Sequence, residues 1–377
     1  KVIFFREKQA ILSIFFRQCD GYELVCCKKP AAPADSLDFC PHKAYNEAKQ
    51  TILGRRGNTM AYKVLIPEEI APEGKEYLRE KGYEIKMGSG LTEDDIVRDV
   101  ADCDAILIRN QPLTRRIIDA APKLKVVGRH GVGVDALDIP YATEKGIWIT
   151  NAPLSNYKAV AEHTLFLMLS CAKYIHVVDR EFHAGNFEIR NSLMTIELEG
   201  KTLGLLGLGR IGRSVAEKAR VFGMNIVGYD PYLPQELVPS YVKRLSTKEE
   251  VLREADFVSL HMPSTAENRH LIGEKELSLM KPTAFLINTA RGGIVEEGAL
   301  TQALKAGTIA GCALDVFEQE PPDTTAELFQ LENAILTPHN AAHTWESTAR
   351  MGLHAAQGIH EVLSGQEPTW PVNHPQK

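Results

Sequence analysis

From residue 62 onward the chain alternates short apolar runs with stretches of helical spacing. Tyr62-Lys63-Val64-Leu65-Ile66-Pro67 reads as a first strand, and Ala105 to Ile108, Leu124 to Val127 and Ile147 to Ile149 as further ones. A helical pattern lies between two of them, around Ile117 to Ala121. This alternation predicts parallel βαβ units. A long amphipathic stretch, from about Ala159 to Phe182, then leads into a second series. Its strands are expected at Lys201 to Leu206, Asn225 to Tyr229, Phe257 to Leu260, Ala284 to Ile287, Ala310 to Leu314 and Ala334 to Thr337. A last helix covers roughly Glu346 to Leu363 and has no sheet of its own. It therefore belongs with the first series, and the second α/β domain is expected to be inserted into the first.

One unit in the second series carries a mechanism. Lys201 to Leu206 runs straight into Gly207-Leu208-Gly209-Arg210-Ile211-Gly212, and Val215, Ala216, Ala219 and Phe222 follow at helical spacing. Gly207 permits a tight strand-to-helix turn, Gly209 lets a pyrophosphate approach the backbone, and Gly212 lets helix and strand pack closely. The N–H groups that open the helix, from Arg210 and Ile211 onward, are free to bind phosphate. Asp230 ends the next strand, 18 residues beyond Gly212, where an acid can take ribose hydroxyls. The glycines alone are a weak signal. In register with strand, helix, strand and acid they predict a dinucleotide site in a Rossmann-like doubly wound sheet. A carboxylate at Asp230 repels a 2′-phosphate, and no Lys or Arg follows until Lys243, so NAD is favoured over NADP.

Composition changes this picture little. The 377 residues are 44% apolar and 24% charged, an ordinary globular balance with room for two domains. The net charge of −6 argues against nucleic acid as the main partner, and no apolar run suits a bilayer. Cys103, Cys171 and Cys312 lie in apolar surroundings and read as buried free thiols, hence a cytoplasmic protein. Residues 1–59 have no sustained period and no convincing signal-peptide core, and are expected to be an extension outside the fold. Met60, where the pattern changes, reads as the natural start. The folded part is expected to divide into 60–155 with 340–370, a substrate-binding domain, and 156–339, a cofactor domain.

Three side chains could carry chemistry. Arg291 follows a strand, within Asn288-Thr289-Ala290-Arg291-Gly292-Gly293, where a guanidinium can hold a carboxylate bidentately. A surface arginine after a strand is the lesser alternative on local pattern alone. Glu320 alone reads as an exposed loop acid, and His339, in Thr337-Pro338-His339-Asn340, is as readily structural as acid–base. What joins them is position. Each lies just past a strand, on the side of a parallel sheet that receives ligands. His163 lies in a helical pattern and reads as packing or capping. No His/Cys/Asp/Glu cluster has metal spacing, so no catalytic metal is expected.

Together these motifs resemble the NAD-dependent D-2-hydroxyacid dehydrogenase family, most closely its phosphoglycerate dehydrogenase branch, from Met60 to about Leu363. The likeness rests on Gly128-Arg129-His130-Gly131-Val132-Gly133-Val134-Asp135, Ala161-Glu162-His163-Thr164 and the glycine unit. It rests equally on Ala290 to Gly293, Ala313 to Phe317, Glu320-Pro321 and Pro338-His339. The resemblance implies that Arg291 holds the substrate carboxylate and carbonyl oxygen, that His339 is the acid–base and that Glu320 is its paired acid. It implies that Thr289, Asp315 and Val132 lie by the cofactor, and that Gly131, Gly133, Arg109 and Arg129 serve the substrate. Three arginines would suit 3-phosphoglycerate. Glyoxylate or hydroxypyruvate is the alternative substrate, and an NAD-sensing corepressor-like binding protein the alternative class. A homodimer is the family expectation. His130 stands where a small residue is common, and only 38 residues follow His339, too few for the regulatory domain of longer relatives.

Overall fold

The computed structural model describes residues 61–376, so the expected extension 1–59 and the expected start at Met60 lie outside the described residues. Two all-parallel sheets organise the chain. The first contains β1 (Lys63–Ile66), β2 (Glu84–Met87), β3 (Ala105–Ile108), β4 (Val126–Arg129) and β5 (Trp148–Thr150), in the order β2-β1-β3-β4-β5. The second contains β6 (Thr202–Leu206), β7 (Asn225–Tyr229), β8 (Val242–Arg244), β9 (Phe257–Leu260), β10 (Phe285–Asn288), β11 (Gly311–Leu314) and β12 (Ala334–Leu336). Its order is β12-β11-β10-β9-β6-β7-β8, so the winding reverses between β6 and β9. Ligands bind at such reversals, beyond the carboxyl ends of the strands. The first sheet has its own reversal, between β1 and β3.

Burial explains which strands the sequence announces. β3, β9, β10 and β11 are buried at every position and read as near-continuous apolar runs, with only Ser259 and Asn288 polar, as strands covered on both faces should. The Phe257 and Phe285 rings, on neighbouring β9 and β10, stack with centroids 5.3 Å apart. Such a pair contributes about 1 kcal/mol beyond its burial. The edge strands β2 and β8, Glu84-Ile85-Lys86-Met87 and Val242-Lys243-Arg244, carry no such signal. Cys103, Cys171 and Cys312 are buried free thiols, and burial pushes Cys103 up to about 11 and Cys312 up to about 12.

The stretch expected from Ala159 to Phe182 is not one helix. Tyr174, at φ 47°, breaks it into Tyr157–Lys173 and Ile175–His183. The Tyr174 ring packs edge-on to Phe285, 6.2 Å between centroids, and that contact fixes the break. The first helix buries ten residues and the second none, so only the first is held by the core.

The chain returns to the first sheet through the helix Trp345–Leu363, which gives an inserted second sheet. This helix lies close because its neighbours lack side chains. A Cβ on Gly128 would stand 2.8 Å from the Ala355 carbonyl oxygen, and one on Gly74 2.7 Å from that of Gly352. Beyond it, the segment around Val372 and Asn373 covers the edge of β5. Val372 N–H donates to the Ile149 carbonyl (2.8 Å), and the Ile149 N–H donates to Asn373 Oδ1 (2.7 Å). Asn373 Nδ2 donates to Ile147 O (2.9 Å) and Thr143 Oγ1 (2.8 Å), with Asn373 only 6% exposed. Asn373→Ala is expected to lower stability by about 2–3 kcal/mol, because it strands several buried groups at once. Denaturant unfolding measures this, and a loss within error of zero would remove the edge-capping role.

Candidate active site

The glycine turn is built as its spacing implies. Gly207 takes φ 97°, and a Cβ there would collide with the His261 carbonyl at the end of β9. Gly209 caps the helix Arg210–Val221 without a side-chain bond, and a Cβ on it would meet nothing within 4 Å. The N–H groups of that first turn therefore face open space that an anion can fill. Gly212 is buried hard against the Gly207 carbonyl, Arg210 is exposed, and Ile211 is packed along the second core. Asp230 reaches back to this turn. Its Oδ2 accepts from Leu208 N–H (2.9 Å), and its Oδ1 accepts from Tyr232 N–H (2.9 Å) and Leu233 N–H (3.0 Å). The turn, the helix start and the acid fit a dinucleotide.

His339 and Glu320 meet. Nδ1 of His339 lies 2.7 Å from Glu320 Oε2, and both side chains are substantially exposed to the cleft. Burial pushes the Glu320 carboxyl up, but the hydrogen bond and charge of His339, the Phe317 N–H and Arg291 outweigh it and hold the group below the usual carboxylate range. Glu320 is thus ionised and accepts, Nδ1 carries the proton, and Nε2 is the nitrogen left to exchange one with a ligand.

His339 also stands at φ 52°, an uncommon conformation for a residue with a side chain. Asp315 imposes it. Asp315 Oδ1 accepts from Thr337 Oγ1 (2.6 Å) and Asn340 N–H (3.0 Å), and Oδ2 accepts from Ala341 N–H (2.9 Å). Its exposure is 0%, so the carboxylate faces the loop rather than the cleft. His163, read from sequence as packing, joins this cluster with Nε2 3.2 Å from Thr337 Oγ1 and 3.6 Å from Asp315 Oδ1. Thr289 is likewise turned inward, its hydroxyl 2.9 Å from that of Thr164.

Arg291 crosses to the first lobe. Its Nε donates to Asp135 Oδ2 (3.0 Å), and a Cβ on Gly133 would strike its guanidinium. The loop it approaches is tied back through its carbonyls. Gly131 O accepts from Ala152 N–H (2.8 Å), Val132 O from Asn151 Nδ2 (2.8 Å) and Gly133 O from Arg129 Nε (2.8 Å). Among the described residues the N–H groups of Val132 and Gly133 have no protein acceptor. Arg129 Nη1 is buried and also unpartnered. Burial and then Arg291 push the Arg129 guanidinium below its usual value, as a site awaiting an anion would.

Arg109 is placed differently. Its Nη1 donates to Glu68 Oε1 (2.9 Å), and its Nη2 lies 3.1 Å from His343 Nε2. Glu68 also takes Asn110 and Gln111, so its charge is fully engaged at the ends of β1 and β3. Arg109, His130 and His343 line one cavity of about 410 Å³. Glu68, Asp135 and His343 were not singled out by sequence, because each acts through a partner far along the chain.

A family model described as "D-isomer specific 2-hydroxyacid dehydrogenase, NAD binding domain" matches residues 165–341, the segment that carries the glycine turn, Arg291, Glu320 and His339. A protein of Thermus thermophilus, TT0316, is 34% identical, superposes with a TM-score of 0.77, and matches over 82% of this chain and 100% of its own. The chain belongs to the D-isomer specific 2-hydroxyacid dehydrogenase family. Another protein of known structure, the D-lactate dehydrogenase of Aquifex aeolicus complexed with NAD and lactic acid, is 30% identical, with a TM-score of 0.75 over 83% of this chain and 100% of its own. The D-3-phosphoglycerate dehydrogenase of Methanocaldococcus jannaschii is 43% identical over 315 residues, 83% of this chain. The chain spans 60% of that relative's length. NAD is the cofactor of this family's domain, and the turn described above is where it fits.

His130 gives a pH test of the site's packing. It is 5% exposed, and burial, then Arg109, pushes it down to about 4 from 6.5. The unfolded chain takes up this proton below 6.5 and the folded chain resists it, so stability is lost as pH falls from 6.5 toward 4. His130→Ala is expected to reduce the stability lost between pH 7 and pH 5 by roughly 2 kcal/mol, whatever its effect at pH 7. Parallel slopes for the two proteins in denaturant titrations would contradict the burial.

Proposed function

We propose that this chain is an NAD-dependent D-2-hydroxyacid dehydrogenase whose substrate is 3-phosphoglycerate. The observation that carries the reading is the His339–Glu320 pair at 2.7 Å, beside Arg291 in the same cleft. Bound NAD supplies the hydride acceptor for C2. His339 Nε2 takes the hydroxyl proton while Glu320 holds Nδ1, keeping one tautomer and favouring the charged ring that results. Arg291 gives up its contact with the half-exposed Asp135 to hold the substrate carboxylate, and in reduction it stabilises charge developing on the carbonyl oxygen. The free N–H groups of Val132 and Gly133, with Arg129 Nη1, complete the carboxylate's place. The phosphoglycerate assignment rests on the three arginines and on the M. jannaschii relative.

A smaller 2-oxoacid, glyoxylate or hydroxypyruvate, is the second reading. The pairing of Arg109 with Glu68 favours it, since that arginine's charge is already matched. An intact His339–Glu320 pair argues against a purely NAD-sensing corepressor role. Absorbance of NADH followed across a panel of 2-hydroxyacids and 2-oxoacids should show turnover, highest with 3-phosphoglycerate. No turnover with any member, despite NAD binding, would falsify the enzyme reading. His339→Asn is expected to lower kcat by about 10²–10⁴-fold with cofactor affinity retained, the usual contribution of a general acid–base.

The proposal extends to a cytoplasmic homodimer acting on small molecules, with neither nucleic acid nor membrane as partner. Among the described residues no helix is long and apolar enough to cross a membrane. Phe166, Phe182, Phe187 and Met194 are 53%, 58%, 54% and 82% exposed on one stretch of chain, an apolar surface that a second copy would cover. Light scattering after gel filtration should give twice the chain mass, and a monomer at micromolar concentration would refute the dimer.

A further inference from the structure

The N–H groups of Val132 and Gly133, without a protein acceptor among the described residues, are aimed by what holds the far side of their peptides. In a trans peptide the C=O and N–H point in opposite directions, so pinning one aims the other. The peptide joining Gly131 to Val132 is pinned by the Ala152 N–H, which donates to the Gly131 carbonyl (2.8 Å). The peptide joining Val132 to Gly133 is pinned by Asn151 Nδ2, which donates to the Val132 carbonyl (2.8 Å). Two adjacent residues just past β5 thus hold two successive peptides, and both N–H groups are turned away from those anchors. Local preference does not supply this arrangement, because Gly131 stands at φ 141°, where the backbone has only glycine's freedom. Asn151 is itself held. Thr150 pairs antiparallel with Pro371, the Asn151 N–H donates to the Trp370 carbonyl (3.4 Å), and the Val372 N–H donates to that of Ile149 (2.8 Å). The C-terminal segment therefore fixes the backbone from which Asn151 reaches the loop.

We propose that Asn151 is a positioning residue for the reaction, which keeps the Gly133 N–H directed at the substrate carboxylate from the opposite side of the peptide. The proposal rests on the reading of this loop as the carboxylate's place and names what keeps that place in shape. Of the three groups that tie the loop's carbonyls, Asn151 is the one whose role can be separated. The Ala152 anchor is backbone, and Arg129, which holds the Gly133 carbonyl through Nε, also offers its buried, unpartnered Nη1 to the same anion. Removing the Asn151 amide frees the Val132–Gly133 peptide to turn. A carboxylate in its place does more, because it repels the Val132 carbonyl and favours the flipped peptide, which presents an oxygen where the substrate needs an N–H.

The test is calorimetric binding of oxalate, a redox-inert carboxylate, to the whole chain loaded with NADH, beside steady-state kinetics with the best substrate of the panel. Asn151→Ala is expected to weaken oxalate about tenfold and raise KM by a similar factor, with kcat within about threefold and NADH affinity unchanged. Asn151→Asp is expected to weaken oxalate further than Asn151→Ala, and Asn151→Gln less, since its amide can still reach the carbonyl. An asparagine that merely supports the fold lowers stability in denaturant without producing that order. Oxalate affinity and KM within about twofold of wild type in Asn151→Ala, or an equal loss of NADH and oxalate binding, overturn the positioning role and leave the dehydrogenase reading intact. A wild-type chain that binds NADH but not oxalate removes the carboxylate reading of the loop as well. Should Asn151→Ala misfold, the Gln and Asp variants, close in size to the native residue, decide the matter by the same order.

Discussion

Asp315 accepts three hydrogen bonds with no exposure to water, and the geometry of the site follows from them. Burying a carboxylate is costly unless its oxygens are met. Here they are met by groups on either side of His339, and the loop has little freedom to do anything else. The left-handed backbone at His339 is a cost that local sequence would not choose, and it persists because the flanking bonds over-determine it. With the ring so placed, Glu320 can reach Nδ1 and leave Nε2 to the cleft. A buried acid, which itself touches nothing in the cleft, thus sets the direction of the exposed pair.

The opposite wall works by a different economy. The loop Gly131 to Gly133 has its three carbonyls tied back into the first lobe, so that its remaining polarity points outward as N–H groups. A side chain at Gly133 would displace the Arg291 guanidinium, which occupies the space a Cβ would take. The ion pair between Arg291 and Asp135 joins the lobes across positions 156 residues apart. With half of Asp135 and a third of Arg291 in solvent, this contact is weak and exchangeable.

How much of this was legible in the sequence depends on range. The glycine turn was legible because all its parts lie within 30 residues and each glycine has a local steric reason. The buried strands were legible because burial on both faces leaves a near-continuous apolar run. The edge strands β2 and β8 were not, since half-exposed strands of three or four residues mix polar and apolar positions. Nor was the break at Tyr174, where the reason is a ring contact with Phe285, distant in sequence. Arg291, Glu320 and His339 could be singled out only by where the strands end. Their partners become evident only when strands are assembled: Asp315 beside the His339 loop within the second sheet, Glu68 beside Arg109 within the first, and Asp135 across the two.

Asp230 shows how assembly can alter the meaning of a motif residue that was correctly found. Read along the chain, it is an acid placed for ribose hydroxyls, and its charge selects the cofactor. In the fold it is also the tie between β7 and the glycine turn, through Leu208 N–H, and the cap of the turn at Tyr232 and Leu233. A residue that holds the phosphate-binding turn in place cannot be exchanged freely to retune selectivity. Arg244, on the next strand, meets Asp230 only at the backbone carbonyl, so the carboxylate is left entirely to the turn.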